Sequence, residues 1–519
     1  MCDSYFRLCS AQRIGIPSSA REFDHTHQSL PFLRAARCRI APALSPPPWH
    51  CAMSSIDTTD LIKNFKGDIV TPNRPDYGQA ISRWAANAAR KAKVVAFVKD
   101  NEDVTRALKF AQENRLPIAV RSGGHNAAGA SSIQDGLVID LSRHMNGVTV
   151  DPSKRLAYVG GGALWETVDK EGIKHGLATV AGTVNHTGVG GLTLGGGYGW
   201  LSASHGLALD NVVQAIVVTA DGSILTVNEA ENPDLYFAIR GGGGNFGVVT
   251  EFVLQLHPQR ATVYAGSIIY PASAVEKLVA ATEAWWKTVR DKESMLQIAT
   301  VGPDGHPIFV VFPFYNGTEA EGRESFKRLL EAGPIADMSK VIPYEELNGL
   351  QNAMVNHGSG VYMKGVALKH LYLPAITKVH ERVAEIMSGS VFRVVIIYEF
   401  FGLGKINAVS TTATAFRREK ANNVLVSLFW DASEDRNGEA RDLAHELCTL
   451  VTEGQTGMTT SEGLGYSNYD PDGTETRGTA AVVDKAKFVF GENYLRLQAI
   501  KRRYDPNNIF NKWFPIVPA

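Results

Sequence analysis

The hydrophobic pattern is irregular at first and becomes regular from Val94. Val94–Val98 is a short β-rich apolar run, and Asn101–Arg115 then sets Val104, Leu108 and Ala111 at helical spacing. Asn101 reads as the N-cap, with Glu102 and Asp103 in the first turn, where the helix dipole favours acids. Leu116–Val120 is a second strand, making a βαβ-like unit, and Leu137–Leu141 adds another. An amphipathic helix over Leu164–His175 ends at Gly176. Val212–Thr219 and Ile224–Val227 flank Asp221-Gly222 as a hairpin, and Val248–Leu256 is a further strand.

From about 262 to 460 the texture changes. Apolar strands (Ile308–Pro313, Val394–Glu399, Val424–Phe429) alternate with long helices (Ala274–Arg290, Gly322–Ala332, Ile376–Met387), which predicts a separate α+β domain. Tyr398, Glu399 and Trp430 close strands and are read as core or rim residues. A last helix, about Glu492–Tyr504, stops at Asp505-Pro506, because the residue before proline disfavours helix.

Composition narrows the function classes. Lys plus Arg number 52 against 53 Asp plus Glu, so nothing in the overall charge favours nucleic acid or an anionic membrane. No apolar run approaches the roughly 20 residues of a membrane span. Four of the five cysteines (Cys2, Cys9, Cys38, Cys51) precede residue 52, leaving Cys448, so neither a disulfide framework nor a cysteine metal site is expected in the body. No histidine spacing suits a metal either. Residues 1–52 are Arg-rich and acid-poor, contain Pro46-Pro47-Pro48 and lack a secretory apolar stretch. They fit a transit peptide, a structureless extension, or a start codon placed too early, since Met53 opens a sensible N-terminus. An intracellular, cytoplasmic protein is the default expectation.

Glycine carries the chemistry. Arg121-Ser122-Gly123-Gly124-His125-Asn126 follows a strand, and its two glycines allow a sharp turn that presents N–H groups to an anion. Gly182 and Thr183 precede a second cluster in which seven of the thirteen residues from Thr187 to Gly199 are glycine. Linkers of that glycine content are polar, whereas Val189, Leu192, Leu194 and Tyr198 punctuate this one, as in a backbone wrapped around a ligand. Residues 242–247 match GxGxxG, but Val248 and Val249 open a strand rather than the helix a nicotinamide-dinucleotide fold requires, so that reading is rejected.

With these motifs in order (RSGGH, TGVGG, GGGYG, RGGGGNFG, then Tyr466-Ser467-Asn468-Tyr469, Gly491-Glu492-Asn493-Tyr494 and Asp505-Pro506-Asn507-Asn508-Ile509-Phe510), the chain resembles the berberine bridge enzyme-like flavoproteins. These belong to the vanillyl-alcohol oxidase/p-cresol methylhydroxylase superfamily, and the likeness is to their 6-hydroxynicotine oxidase-like microbial members. The resemblance runs from about Val94 to the C-terminus. It implies an α+β fold: a PCMH-type FAD-binding domain of two α+β subdomains over 91–261, and a substrate domain with a large antiparallel sheet flanked by helices over 262–464. A segment returning to the FAD unit would fill 465–519, and a lead-in 53–90.

The resemblance also implies roles. His125 occupies the position that bonds covalently to the flavin 8α-methyl. The position of a second, cysteinyl link is Val184, so one link is expected, with a lower flavin potential and a more closed cleft than in doubly linked members. Arg121, Ser122, Gly123, Gly124, Asn126, Gly182, Thr183, Gly188, Gly190, Gly191, Leu192, Gly197, Gly199, Gly247, Val248, Val249 and Asn468 would hold FAD. Tyr469 is the expected proton acceptor, although a free tyrosine of pKa about 10 is a poor base unless its phenolate is stabilised. Tyr198 is a second active-site phenol. Thr187 falls where the family governs dioxygen access, with neither of the familiar outcomes indicated. The expected reaction is oxidation of a small alcohol, amine or sugar by hydride transfer to flavin, with dioxygen as acceptor and no metal. The alternatives are a non-covalent FAD dehydrogenase of a 2-hydroxy acid and a non-catalytic flavin-binding protein.

Overall fold

Where the apolar runs fall decides which sheet each strand joins. The protein is seen in a computed structural model that describes residues 56–389, 391–418, 420–458, 463, 465–471 and 485–519. The extension expected over 1–52 lies outside these residues. Strands Val94–Phe97, Leu137–Asp140 and Ile118–Arg121 lie side by side in that order and parallel, with Asp68–Val70 antiparallel at the edge. The βαβ-like unit is therefore split by a third strand, which the local pattern could not reveal. Helix Asn101–Glu113 packs Val104, Leu108 and Ala111 onto this sheet. Its N-cap is Asp100 rather than Asn101: Asp100 has the extended backbone a cap needs, and its carboxylate accepts the Asp103 N–H at 2.9 Å.

A second sheet is antiparallel throughout, in the order Val148–Asp151, Leu156–Gly160, Val248–Gln255, Val212–Val218 and Ile224–Asn228. Gly222 takes the left-handed turn of its hairpin at φ +85°. Val248–Gln255 starts directly after Gly247, so the glycine run leads into a strand and presents no helix N-terminus to a pyrophosphate.

The large sheet has nine strands. Its main order is Ala336–Asp337, Ile268–Pro271, Pro307–Tyr315, Glu293–Val301, Arg393–Phe401, Asn422–Trp430 and Gly360–Leu368, with Thr262–Ala265 and Lys340–Pro343 attached. All its pairings are antiparallel. Helices Val275–Trp286, Leu373–Ser388 and Asn437–Thr452 cover one face. The helix expected over Gly322–Ala332 is two short ones, Glu319–Ser325 and Lys327–Leu330. A capping box between Thr318 and Glu321 starts the first of them early, and the backbone leaves helical geometry at the fully buried Phe326. Period-two alternation sends Val394, Ile396, Tyr398 and Phe400 to the helices, and Val395, Ile397 and Phe401 to the opposite face, against Tyr198.

The chain end folds back. Helix Tyr494–Tyr504 joins the core of the second sheet. Its Lys501 is fully buried and donates to Asp505 Oδ2 (2.6 Å), the Asn245 carbonyl (2.7 Å) and the Phe510 carbonyl (2.7 Å). Asp505 in turn accepts the N–H groups of Ile509 and Phe510, both at 2.9 Å. Every charge in this buried knot has partners, the condition under which burying ions is tolerated. No helix among the described residues is long and apolar enough to cross a membrane.

Candidate active site

Two glycine loops interlock at the heart of the molecule. The first leaves strand Ile118–Arg121, and Ser122 Oγ accepts the Gly190 N–H at 3.2 Å. Gly123 then meets Gly188 backbone to backbone: a Cβ on Gly123 would lie 2.6 Å from the Gly188 Cα and N. Only glycine at both positions permits that approach. Beside this seam a cavity of about 310 Å³ runs between the two smaller sheets and the free face of the large one. Gly191 and Gly244 line it, and neither has an atom within 4 Å of where a Cβ would project. The glycines thus do two jobs, locking loops together at 123 and 188 and leaving room at 191 and 244.

His125 ends the first loop and lines the cavity. Its ring stacks on Trp84, 4.1 Å between centroids and 9° from parallel, and its Nε2 lies 3.2 Å from His186 Nδ1. Trp84 is itself pinned by an Nε1–H bond to the Val355 carbonyl at 2.8 Å. Burial, then the neighbouring His186 and His357, depress the His125 pKa to about 3. The imidazole is therefore neutral at physiological pH, the form that has a lone pair to give.

The Tyr-x-Asn-Tyr element divides its labour. Tyr466 is buried, and its hydroxyl accepts the Gly197 N–H (2.8 Å) and an Asn468 amide N–H (2.7 Å), which fixes the GGGYG turn. Tyr469 instead donates its hydroxyl to Glu399 Oε1 at 2.8 Å. Gly365 makes room for it: a Cβ there would stand 3.0 Å from the Tyr469 Cβ. Burial raises the Glu399 carboxyl to about 7, and burial beside that acid lifts the Tyr469 phenol well above its ordinary value. Tyr466 and Tyr198 beside it raise it further, so the phenol keeps its proton and donates it as a hydrogen bond to the carboxylate. Tyr198 lines the same cavity, its ring edge-on to Tyr466 at 5.1 Å.

Of the residues expected at the site, Ser122, Gly123, Gly124, His125, Asn126, Gly182, Thr183, Thr187, Gly188, Gly190, Gly191, Leu192, Tyr198, Gly247, Val249, Asn468 and Tyr469 line this one cavity, as does Val184. Arg121, Gly197, Gly199 and Val248 stand outside its wall. Arg121 is turned to Asp140, at 3.2 Å. Gly197 and Gly199 are packed against Ala208 and the Ala181 carbonyl, and Val248 sits in the core of the parallel sheet. No motif in the sequence marks Trp84 or His186, and Glu399, expected at the core or rim, lines the cavity. For Glu399 a signal existed, a single acid on the same strand face as Val395 and Ile397. Tyr398 and Trp430, on the helix-covered face, are core residues as expected.

Comparison with known proteins agrees with this geometry. An FAD binding domain model matches residues 92–228, and a "berberine and berberine like" model matches 466–515. The FAD-linked oxidoreductase pgmH of Aspergillus terreus is 32% identical over 492 residues, covering 90% of this chain and 97% of its own. The (R)-6-hydroxynicotine oxidase of Paenarthrobacter nicotinovorans is 31% identical over 478 residues, covering 90% and 99%. The crystal structure of 6-hydroxy-D-nicotine oxidase from Arthrobacter nicotinovorans superposes with a TM-score of 0.78 at 27% identity, covering 89% of this chain and all of that one. A berberine bridge enzyme variant in complex with (S)-reticuline shares the fold, at TM-score 0.77 and 22% identity over 89% and 99% of the two chains. On these family models and on relatives more than 30% identical over nine-tenths of its length, the chain belongs to the berberine bridge enzyme-like family of FAD-linked oxidoreductases.

Proposed function

We propose that this protein carries FAD bound covalently through His125 alone and oxidises a small alcohol, amine or sugar, with dioxygen as the electron acceptor. The observation that carries the reading is the buried Tyr469–Glu399 pair lining the same cavity as a neutral His125. The residues present suit the cofactor. Glycine backbone free of Cβ atoms edges the cavity at 191 and 244, and Lys512 is the cation among its described lining residues. Ser122, Gly123, Gly188, Gly190 and Gly191 would cradle it, while Val184 offers no thiol for a second link.

Bound there, FAD would supply the hydride acceptor for the substrate carbon and the onward path for the electrons. The chain's own part is to move the accompanying proton. Tyr469 takes it from the substrate hydroxyl or amine as its own proton passes to Glu399 Oε1, 2.8 Å away. A carboxyl held near 7 both accepts this proton and releases it again at neutral pH. This relay removes the need for a free phenolate. A 2-hydroxy acid substrate is disfavoured, because its carboxylate would meet Glu399 with no arginine among the described lining residues.

Acid precipitation tests the attachment. Yellow colour should stay in the pellet of the wild type and move to the supernatant in His125→Ala. Colour in the wild-type supernatant would overturn the covalent assignment.

A further inference from the structure

We infer that the substrate of this enzyme is an apolar-bodied small molecule bearing a single oxidisable hydroxyl or amine, and that saccharides are poor ligands. The inference rests on the redox site proposed above and narrows what that site takes.

The observation is the face that the large sheet turns to the cavity. Strand pairing puts Gly360–Leu368, Asn422–Trp430 and Arg393–Phe401 side by side, so their cavity-facing residues form rows across the sheet. One row is Met363, Ser427 and Val395; the next is Gly365, Leu425 and Ile397. Phe429, paired with Val361, lies on the same face beyond Ser427. Met363, Val395, Ile397, Leu425 and Phe429 all line the cavity, and all but Met363 are buried. Ser427 is the lone hydroxyl in these rows, and Glu399 comes one row beyond Ile397, already engaged by Tyr469.

A pyranose ring carries a hydroxyl on nearly every carbon. Each one moved from water onto an aliphatic surface without a partner costs binding. Of the described cavity-lining residues on these three strands, Ser427 and Glu399 are the polar ones, and Glu399 is already shared with Tyr469 and the Asn423 side chain. The remaining surface is methyl, methylene and phenyl, which rewards burial of hydrocarbon instead. On this sheet wall Tyr469 with Glu399 forms the polar corner that fixes which substrate group is oxidised. Discrimination of this kind needs no exclusion device, because a site that cannot satisfy hydroxyls selects against them by default.

Binding and turnover are read separately in the flavin-loaded protein. Flavin difference spectra of Glu399→Gln give the affinity for 1-indanol and 1-aminoindane, with cellobiose and xylobiose as the saccharide arm. Anaerobic bleaching of the wild type gives the redox step. The indane compounds should bind at least roughly tenfold more tightly than either disaccharide, and Leu425→Ala and Val395→Thr should each weaken indane binding by roughly fivefold to fiftyfold, with the flavin spectrum unaltered. Disaccharides that bind as tightly as the indanes, or indane affinity untouched by both sheet variants, would overturn the assignment. Indanes that bind as expected but never bleach the wild-type flavin would support the pocket assignment while refuting the redox reading.

Discussion

Replacing Glu399 by glutamine separates its chemical role from a structural one, because the two predict opposite signs for stability. The carboxyl is 3% exposed, and burial raises it from an ordinary 4.5 to about 7. A folded-state value above the unfolded one means that the folded protein holds this proton more tightly. Its contribution is neutral below pH 4.5, turns against folding as pH rises from there to 7, and levels off above 7 at about 3 kcal/mol. Glutamine keeps an acceptor for the Tyr469 hydroxyl and has no charge to desolvate. Glu399→Gln should therefore melt close to the wild type at pH 5 and higher at pH 8, by roughly 3–6 °C for a protein this large. In stopped flow the same variant should slow substrate reduction of the flavin by roughly 10²–10⁴ and erase the rise in rate through pH 7. A variant that melts below the wild type at pH 8, or a rate profile that keeps its limb near 7, would refute the assignment of Glu399 as the buried proton acceptor.

The other predictions follow from the same geometry. Tyr469→Phe should slow flavin reduction without releasing flavin; an unchanged rate in stopped flow removes Tyr469 from the relay. Gly191→Ala adds a methyl where no atom lies within 4 Å, inside the short helix Val189–Leu194, so it should leave thermal stability equal or raise it by up to about 1 kcal/mol while weakening FAD loading. Gly123→Ala collides with Gly188 backbone at 2.6 Å and should lower the melting temperature as well as flavin content; equal behaviour of the two variants would contradict the two roles assigned to these glycines. Lys501→Met strands Asp505 in the core and should cost about 3–5 kcal/mol in urea unfolding.

Much of the frame was legible because it is local. Val94, Val104 and Leu108 announce a strand and a helix by spacing alone, and Gly222 announces its hairpin by the one conformation only glycine takes cheaply. The strand after Gly247 likewise excludes a nicotinamide-dinucleotide turn. The strand order was not legible, since nothing near Leu137 says that it inserts between two earlier strands. The cavity loops were found through their glycines and the family they resemble, and the purpose of each glycine became visible only in space. The role of Glu399 was not legible, because an acid at the end of an apolar strand reads as core or rim; here Tyr469, seventy residues later, closes over it. Trp84 and His186 carry no local pattern at all, and they matter through their stacking and proximity to His125.

The groove proposed to hold FAD has walls drawn from widely separated parts of the polypeptide. Lys501 hooks the carbonyl of Asn245, and the Trp513 ring covers Gly243 so closely that a Cβ there would fall 2.2 Å away. A ribosome must therefore extend the chain past residue 513 before both sides of the groove exist. A nascent chain halted before Lys501 would hold the strands of the large sheet beside an open trough.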